Sequence, residues 1–138
     1  MTSPRRQLVD PTAPGYFHCM TCCVRRALLC GFDAVTGDSF EHRKAWVEAR
    51  ILELGTIFAV AVYADAEMSN HVHVAVYVDP DAAVAWSDEE VATRWAQLFP
   101  IRLPDGSVDE PATRNRAQAT LGNPARVATC RARLASFS

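Results

Sequence analysis

The chain has 138 residues, 49% of them hydrophobic and 22% charged, and a formal net charge of −2. That is enough apolar material for one domain with a core, and it excludes both a disordered chain and a basic nucleic-acid tail. No run approaches the roughly 18 apolar residues of a membrane span, and residues 1–6 lead into no apolar signal core. The composition predicts a soluble, cytoplasmic protein with no membrane partner.

Charge is uneven along the chain. Residues 60–99 hold one arginine against seven acidic side chains, whereas residues 100–138 hold six arginines against three. Contact with nucleic acid would therefore be local, drawn from the N-terminal and C-terminal arginines. The five cysteines are Cys19, Cys22, Cys23, Cys30 and Cys130. An odd count without a secretion signal points to reduced thiols. Cys19 and Cys22 have half of a zinc spacing, but no second pair follows. On a strand they face opposite sides, so core or half-buried thiols are the simpler reading.

Residues 1–15 contain three prolines and no periodic pattern, and read as a flexible arm. Residues 16–24 are dense in aromatic, β-branched and sulfur side chains and read as a strand. A loop follows over 32–39. A helix is expected to start near Asp38 or Ser39, where Asp38 and Glu41 resemble a capping box, and to stop at Gly55. Val47, Ile51 and Leu54 recur at helical spacing with Trp46 beside them. Residues 56–64 read as a buried strand. A short connection leads to His71-Val72-His73-Val74-Ala75-Val76-Tyr77-Val78, which Pro80 closes, so these two strands are expected to pair antiparallel. Ser87 and Glu90 form a second capping box for a helix carrying Val91, Trp95, Leu98 and Phe99 inward. Residues 101–112 read as a loop. Residues 113–138, rich in Ala and Arg with few large apolar anchors, read as a weakly helical tail.

The order strand, helix, strand, strand, helix predicts an α+β chain with an antiparallel sheet. It is most of a ferredoxin-like β-α-β-β-α-β unit, with no candidate for the fourth strand. The expected organisation is an arm over 1–15, a domain over 16–100, and a loop and tail of the same domain over 101–138. With the fourth strand absent, the first strand is expected at an open edge. It carries no lysine to deter pairing, so self-association or poor solubility is expected.

The segment Glu67-Met68-Ser69-Asn70-His71-Val72-His73 carries the chemistry. Side chains alternate along a strand, so His71 and His73 share one face while Val72 points to the other. Two imidazoles on a rigid strand make the start of a divalent metal site. Glu67 and His18 are candidate third ligands, although an ordinary turn or strand-end role is the simpler reading for both. Arg25 and Arg26 could grip phosphates, with a solvated strand exit as the alternative. Arg114, Arg116, Arg126, Arg131 and Arg133 read more simply as a solvent-facing set than as a DNA path. Trp46, Trp86 and Trp95 could stack on bases, but their helical context favours core packing.

Taken with Val24-Arg25-Arg26-Ala27-Leu28-Leu29-Cys30-Gly31, Glu41-His42-Arg43-Lys44-Ala45-Trp46, Trp86-Ser87 and Arg94-Trp95-Ala96-Gln97-Leu98-Phe99-Pro100, the motif Met68-Ser69-Asn70-His71-Val72-His73-Val74 resembles the single-tyrosine HUH transposases. The nearest branch is the one associated with repetitive extragenic palindromes and related insertion sequences. The resemblance spans roughly residues 14–138. It implies cleavage and rejoining of single-stranded or hairpin DNA, with Mg²⁺ or Mn²⁺ held by His71 and His73, and often a homodimer. In the family a tyrosine on a helix downstream of the histidine strand attacks the scissile phosphate and forms a 5′-phosphotyrosine link. That nucleophile does not carry over. Tyr77 is the sole tyrosine after His73, and four residues of strand place it about 13 Å away. The chain is thus expected to be a C-terminally truncated copy that binds DNA without a catalytic tyrosine, or a non-catalytic hairpin-binding remnant or regulator.

Overall fold

The computed structural model describes residue 10 and residues 13–23 and 28–136. Three stretches of alternating β-formers become strands: β1 (Gly15–Cys22), β2 (Val60–Glu67) and β3 (His71–Val78). Five helices complete the described chain: α1 (His42–Ile57), α2 (Pro80–Ala85), α3 (Asp88–Leu98), α4 (Glu110–Leu121) and α5 (Pro124–Ala135). The chain is mixed α/β, with a three-stranded antiparallel sheet in the order β1-β3-β2. It divides into two compact units. One is a sheet unit of Gly15–Thr56 and Val60–Val78; the other is a helical unit containing Ile57–Ala59 and the chain from Asp79 onward.

In the sheet unit β3 is central. Val72, Val76 and Val78 are buried on one face, while His71, His73, Ala75 and Tyr77 occupy the other. Directly opposed residues of antiparallel strands share a face. Cys22, Met20, His18 and Tyr16 lie opposite His71, His73, Ala75 and Tyr77 and so join the second face. From β2 come Ala66, Ala64 and Ala61, opposite His73, Ala75 and Tyr77. A bulge between Val62 and Ala64 shifts the register within β2.

The loop between β2 and β3 is held firmly. Met68 N–H donates to the His71 carbonyl at 2.8 Å, Leu29 N–H to the Ser69 carbonyl at 2.6 Å, and Cys23 N–H to the Asn70 carbonyl at 2.8 Å. The buried Cys30 thiol donates to the Met68 carbonyl at 3.2 Å. These bonds fix the entry of β3, where His71 begins the strand.

Helix α1 differs from expectation at both ends. Asp38 does not cap it. The Asp38 carbonyl accepts from Asp33 N–H, and a bridge pairs Phe32 with Ser39, closing a small loop around Gly37 at φ 80°. The helix begins at His42 and runs through Gly55 to Ile57. Gly55 is needed for space rather than for a stop. A Cβ there would meet Val62 Cγ2 at 3.0 Å, tighter than such contacts normally run. Val47, Ile51 and Leu54 are half-buried as their spacing predicts. Trp46 is 65% exposed and meets His42 edge-on, so it is not a core residue.

The helical unit corrects the expectation for the tail. Residues 110–135 form two full helices, not a weakly helical segment. Both start with a side-chain cap followed by proline at the first turn. Asp109 accepts from Ala112 N–H and Asn123 from Arg126 N–H. Val127, Cys130 and Leu134 are buried with Ile57 and Val91, and Phe58, Trp86, Trp95 and Leu98 pack around them. The Leu134 carbonyl accepts from Ala59 N–H at 3.0 Å. Burial also raises the Cys130 thiol above its ordinary range, as suits a packing residue. Ser87 caps α3 through Glu90 N–H at 3.1 Å, as its motif predicts, but Phe99 is 53% exposed. Helix α2, which the sequence reading missed, is announced by Asp79-Pro80, a cap and a first-turn proline.

Two arginines of the tail act as staples. Arg131 donates to the carbonyls of Ala83 and Trp86, each at 2.6 Å, and to Asp88 at 2.7 Å. Arg116 donates to the Phe99 carbonyl. Their guanidinium groups are engaged within the unit, so these two do not belong to a purely solvent-facing set.

Among the described residues β1 pairs with β3 alone, which leaves its other edge open. The opposite edge, β2, carries half-buried Asp65 and Glu67 and a bulge, devices that discourage strand addition. Strand β1 has neither. Thr21→Lys, at an exposed position of β1, is expected to shift the protein toward monomer in sedimentation velocity. A wild-type chain that is monomeric at all concentrations would contradict edge-driven association.

Candidate metal and aromatic face

One face of the sheet gathers unusual chemistry. His18, His71 and His73 and all three tyrosines of the chain, Tyr16, Tyr63 and Tyr77, belong to it. The face is open: Tyr16 is 73% exposed, Tyr63 64% and Met20 60%. The β2 residues paired with His73 and Tyr77 are Ala66 and Ala61, too small to cover those rings.

The two motif histidines sit as the alternation predicts. Their ring centroids are 4.8 Å apart at 75°. His71 Nδ1 lies 2.6 Å from Asn70 Oδ1. An amide oxygen only accepts, so this bond puts a proton on His71 Nδ1, and in the neutral ring the lone pair is then on Nε2. His73 Nδ1 lies 2.8 Å from His18 Nε2. The donor set is therefore imidazole nitrogen, which suits transition-metal ions better than Mg²⁺. Two such nitrogens on one strand fit the start of a metal site. Among the described residues no group of three or more His, Cys, Asp or Glu side chains is arranged to hold an ion.

Glu67 is not a third ligand. It pairs with Val72 and so lies on the opposite face from the histidines. Its Oε1 is enclosed without a hydrogen-bond partner. Burial pushes its carboxyl above the usual carboxylate range, and the neighbouring Asp65 and Glu48 add to the shift. A raised carboxyl binds its proton more tightly in the folded chain. Stability from this group is full below the ordinary carboxylate pKa and is lost as pH rises through the raised value. Glu67→Gln is expected to raise the melting temperature at neutral pH and to flatten its fall above the carboxylate range. Thermal melts across pH test this, and an unchanged slope would contradict it.

The tyrosines cluster at the far end of the face from His71. Tyr16 contacts Tyr77 at a centroid distance of 4.7 Å and Tyr63 at 5.6 Å. Hydrogen bonding with Tyr16 holds the Tyr63 phenol above its ordinary range, which disfavours phenolate formation. Cys19 and Cys22 face opposite sides, opposite Val74 and His71 respectively, so they do not form half of a zinc site. Arg25 and Arg26 lie outside the described residues. The described arginines of the sheet unit have partners: Arg43 sits over the Phe40 ring at 4.2 Å and Arg50 pairs with Glu53 at 2.7 Å.

Sequence reading found His71 and His73 but treated the tyrosines singly. The signal was present, since Tyr16, His18, Met20 and Cys22 share the same period-2 phase in β1. No protein-family model, no curated protein and no solved structure matches the chain.

Proposed function

We propose that this chain is a single-stranded or hairpin DNA-binding protein of the HUH transposase type, with a divalent metal site at His71 and His73 and no catalytic tyrosine. The observation that carries the reading is the exposed sheet face, on which two motif histidines with directed ring nitrogens share a surface with exposed tyrosines. Unpaired bases stack on exposed aromatic rings, at about 1–3 kcal/mol per base. Tyr16 and Tyr63 offer such rings on an uncharged, open surface. The sheet order β1-β3-β2, with α1 between β1 and β2 in the chain, supports the ferredoxin-like frame that the HUH resemblance implies.

A divalent ion held by His71 and His73 would supply stabilisation of charge at a scissile phosphate. The chain's own residues do the rest: His71 and His73 share the open face, Asn70 orients His71 through its Nδ1, and the clasped loop keeps β3 in place.

A second reading, a hairpin-binding remnant or regulator without chemistry, is favoured by the tyrosines themselves. All three lie on the sheet face rather than on α4 or α5. The test incubates the protein with end-labelled hairpin DNA and Mn²⁺ and resolves the products on a denaturing gel. Binding without nicking or protein-linked DNA is expected. A covalent adduct would overturn the absence of a nucleophile and make Tyr77 the first residue to replace. Neither binding nor cleavage would overturn the DNA reading.

A further inference from the structure

We infer that His18 is a positioning residue that sets the tautomer of His73, so that both motif histidines present the same nitrogen to a metal ion. The inference rests on the metal-site reading above. His18 lies on β1 opposite Ala75, one diagonal step from His73 on the same face. Its Nε2 stands 2.8 Å from His73 Nδ1. The two ring planes lie within 14° of parallel, with centroids 4.9 Å apart. The 2.8 Å N···N separation is a hydrogen-bond distance, shorter than the contact between rings that only stack, so a proton is shared between the two edges.

One proton lies between those two nitrogens, and its owner decides what His73 can do. If His18 donates, His73 Nδ1 is occupied as an acceptor and its own proton sits on Nε2, so neutral His73 offers no free lone pair. If His73 donates, its Nε2 lone pair is free. Only the second arrangement matches His71, whose bond to Asn70 Oδ1 already leaves Nε2 unprotonated. Metal ligands of this kind commonly donate their other ring N–H to a fixed acceptor, and loss of that acceptor costs about 10–100-fold in metal affinity. His71 has Asn70 in this role. For His73 the acceptor is a third imidazole delivered from the neighbouring strand, where pairing along the length of β1 holds it in register.

The variants are His18→Gln, whose side-chain oxygen can still accept, and His18→Phe, which keeps a flat ring without an acceptor. Two readouts separate the inference from the reading it rests on. Nitrogen NMR of metal-free protein is expected to show His73 protonated on Nδ1 in wild type and in His18→Gln. In His18→Phe the proton should move toward Nε2. Mn²⁺ titration by electron paramagnetic resonance is expected to show affinity within a few-fold of wild type for His18→Gln, and a drop of about tenfold or more for His18→Phe. Thermal melts confirm that each variant is folded. An Nε2-protonated His73 in wild type would overturn the inference. Equal affinity in all three proteins would overturn it too, and an equal loss in both variants would make His18 a ligand instead. If wild type shows the expected tautomer but binds no Mn²⁺, the metal reading fails while the His18–His73 geometry stands.

Discussion

His73→Ala is expected to remove Mn²⁺ binding while leaving the fold in place. His73 is half-buried on the open sheet face, and among the described residues its side chain bonds to His18. Its loss should change the unfolding free energy by about 1 kcal/mol or less, the ordinary net value of one such bond. The effect on metal should be far larger. Removing one of two nitrogen ligands should exceed the roughly 10–100-fold cost of losing an outer partner. Calorimetric titration with Mn²⁺, set beside a thermal melt, separates the two effects. DNA binding through the tyrosines should persist in the variant. Unchanged Mn²⁺ affinity would mean that the histidine pair holds no metal.

Leu134→Ala is expected to destabilise the helical unit by about 3 kcal/mol, within the range for a large aliphatic side chain removed from a packed core. Leu134 is 1% exposed and buried beside Ile57, Val91, Val127 and Cys130. A cavity at that position strips contacts from all of them, and α5 is too short to hold itself in water without packing. Urea unfolding measures the loss. A change below about 1 kcal/mol would show that α5 is peripheral, as the tail's composition had suggested.

The tail was misread because its core is built from few and modest residues. Val127, Cys130 and Leu134 are spaced to one helix face but diluted by alanine and arginine, and composition weighs the diluting residues heavily. The caps Asp109 and Asn123, each followed by a proline, were the more reliable sign, since they meet the specific need of unpaired N–H groups. Arg131 shows the limit of reading charge from sequence. Its guanidinium binds two carbonyls and Asp88, and those partners converge only after folding.

The strands were more legible. Period-2 alternation placed His71 and His73 together, and the short link between β2 and β3 gave their antiparallel pairing. The end of α1 was not legible, because Gly55 serves either as a stop or as a gap for a neighbour, and only the position of Val62 decides. Trp46 sits one place off the Val47, Ile51, Leu54 stripe, which is enough to turn it to solvent. The meeting of His18 with His73 depends on strand register, which a one-residue slip would reverse. Sequence could name both residues but could not pair them.

In the proposed function, the open face joins a metal pair to a surface for single-stranded DNA. Fluorescence anisotropy of a labelled hairpin with a single-stranded flank, titrated with protein in the presence and absence of Mn²⁺, tests it most directly. Wild type should bind in both conditions and more tightly with Mn²⁺, and the doubly substituted His71→Ala/His73→Ala protein should lose the Mn²⁺ increment alone. No binding by wild type in either condition, or an increment that survives the double substitution, would contradict the proposed function.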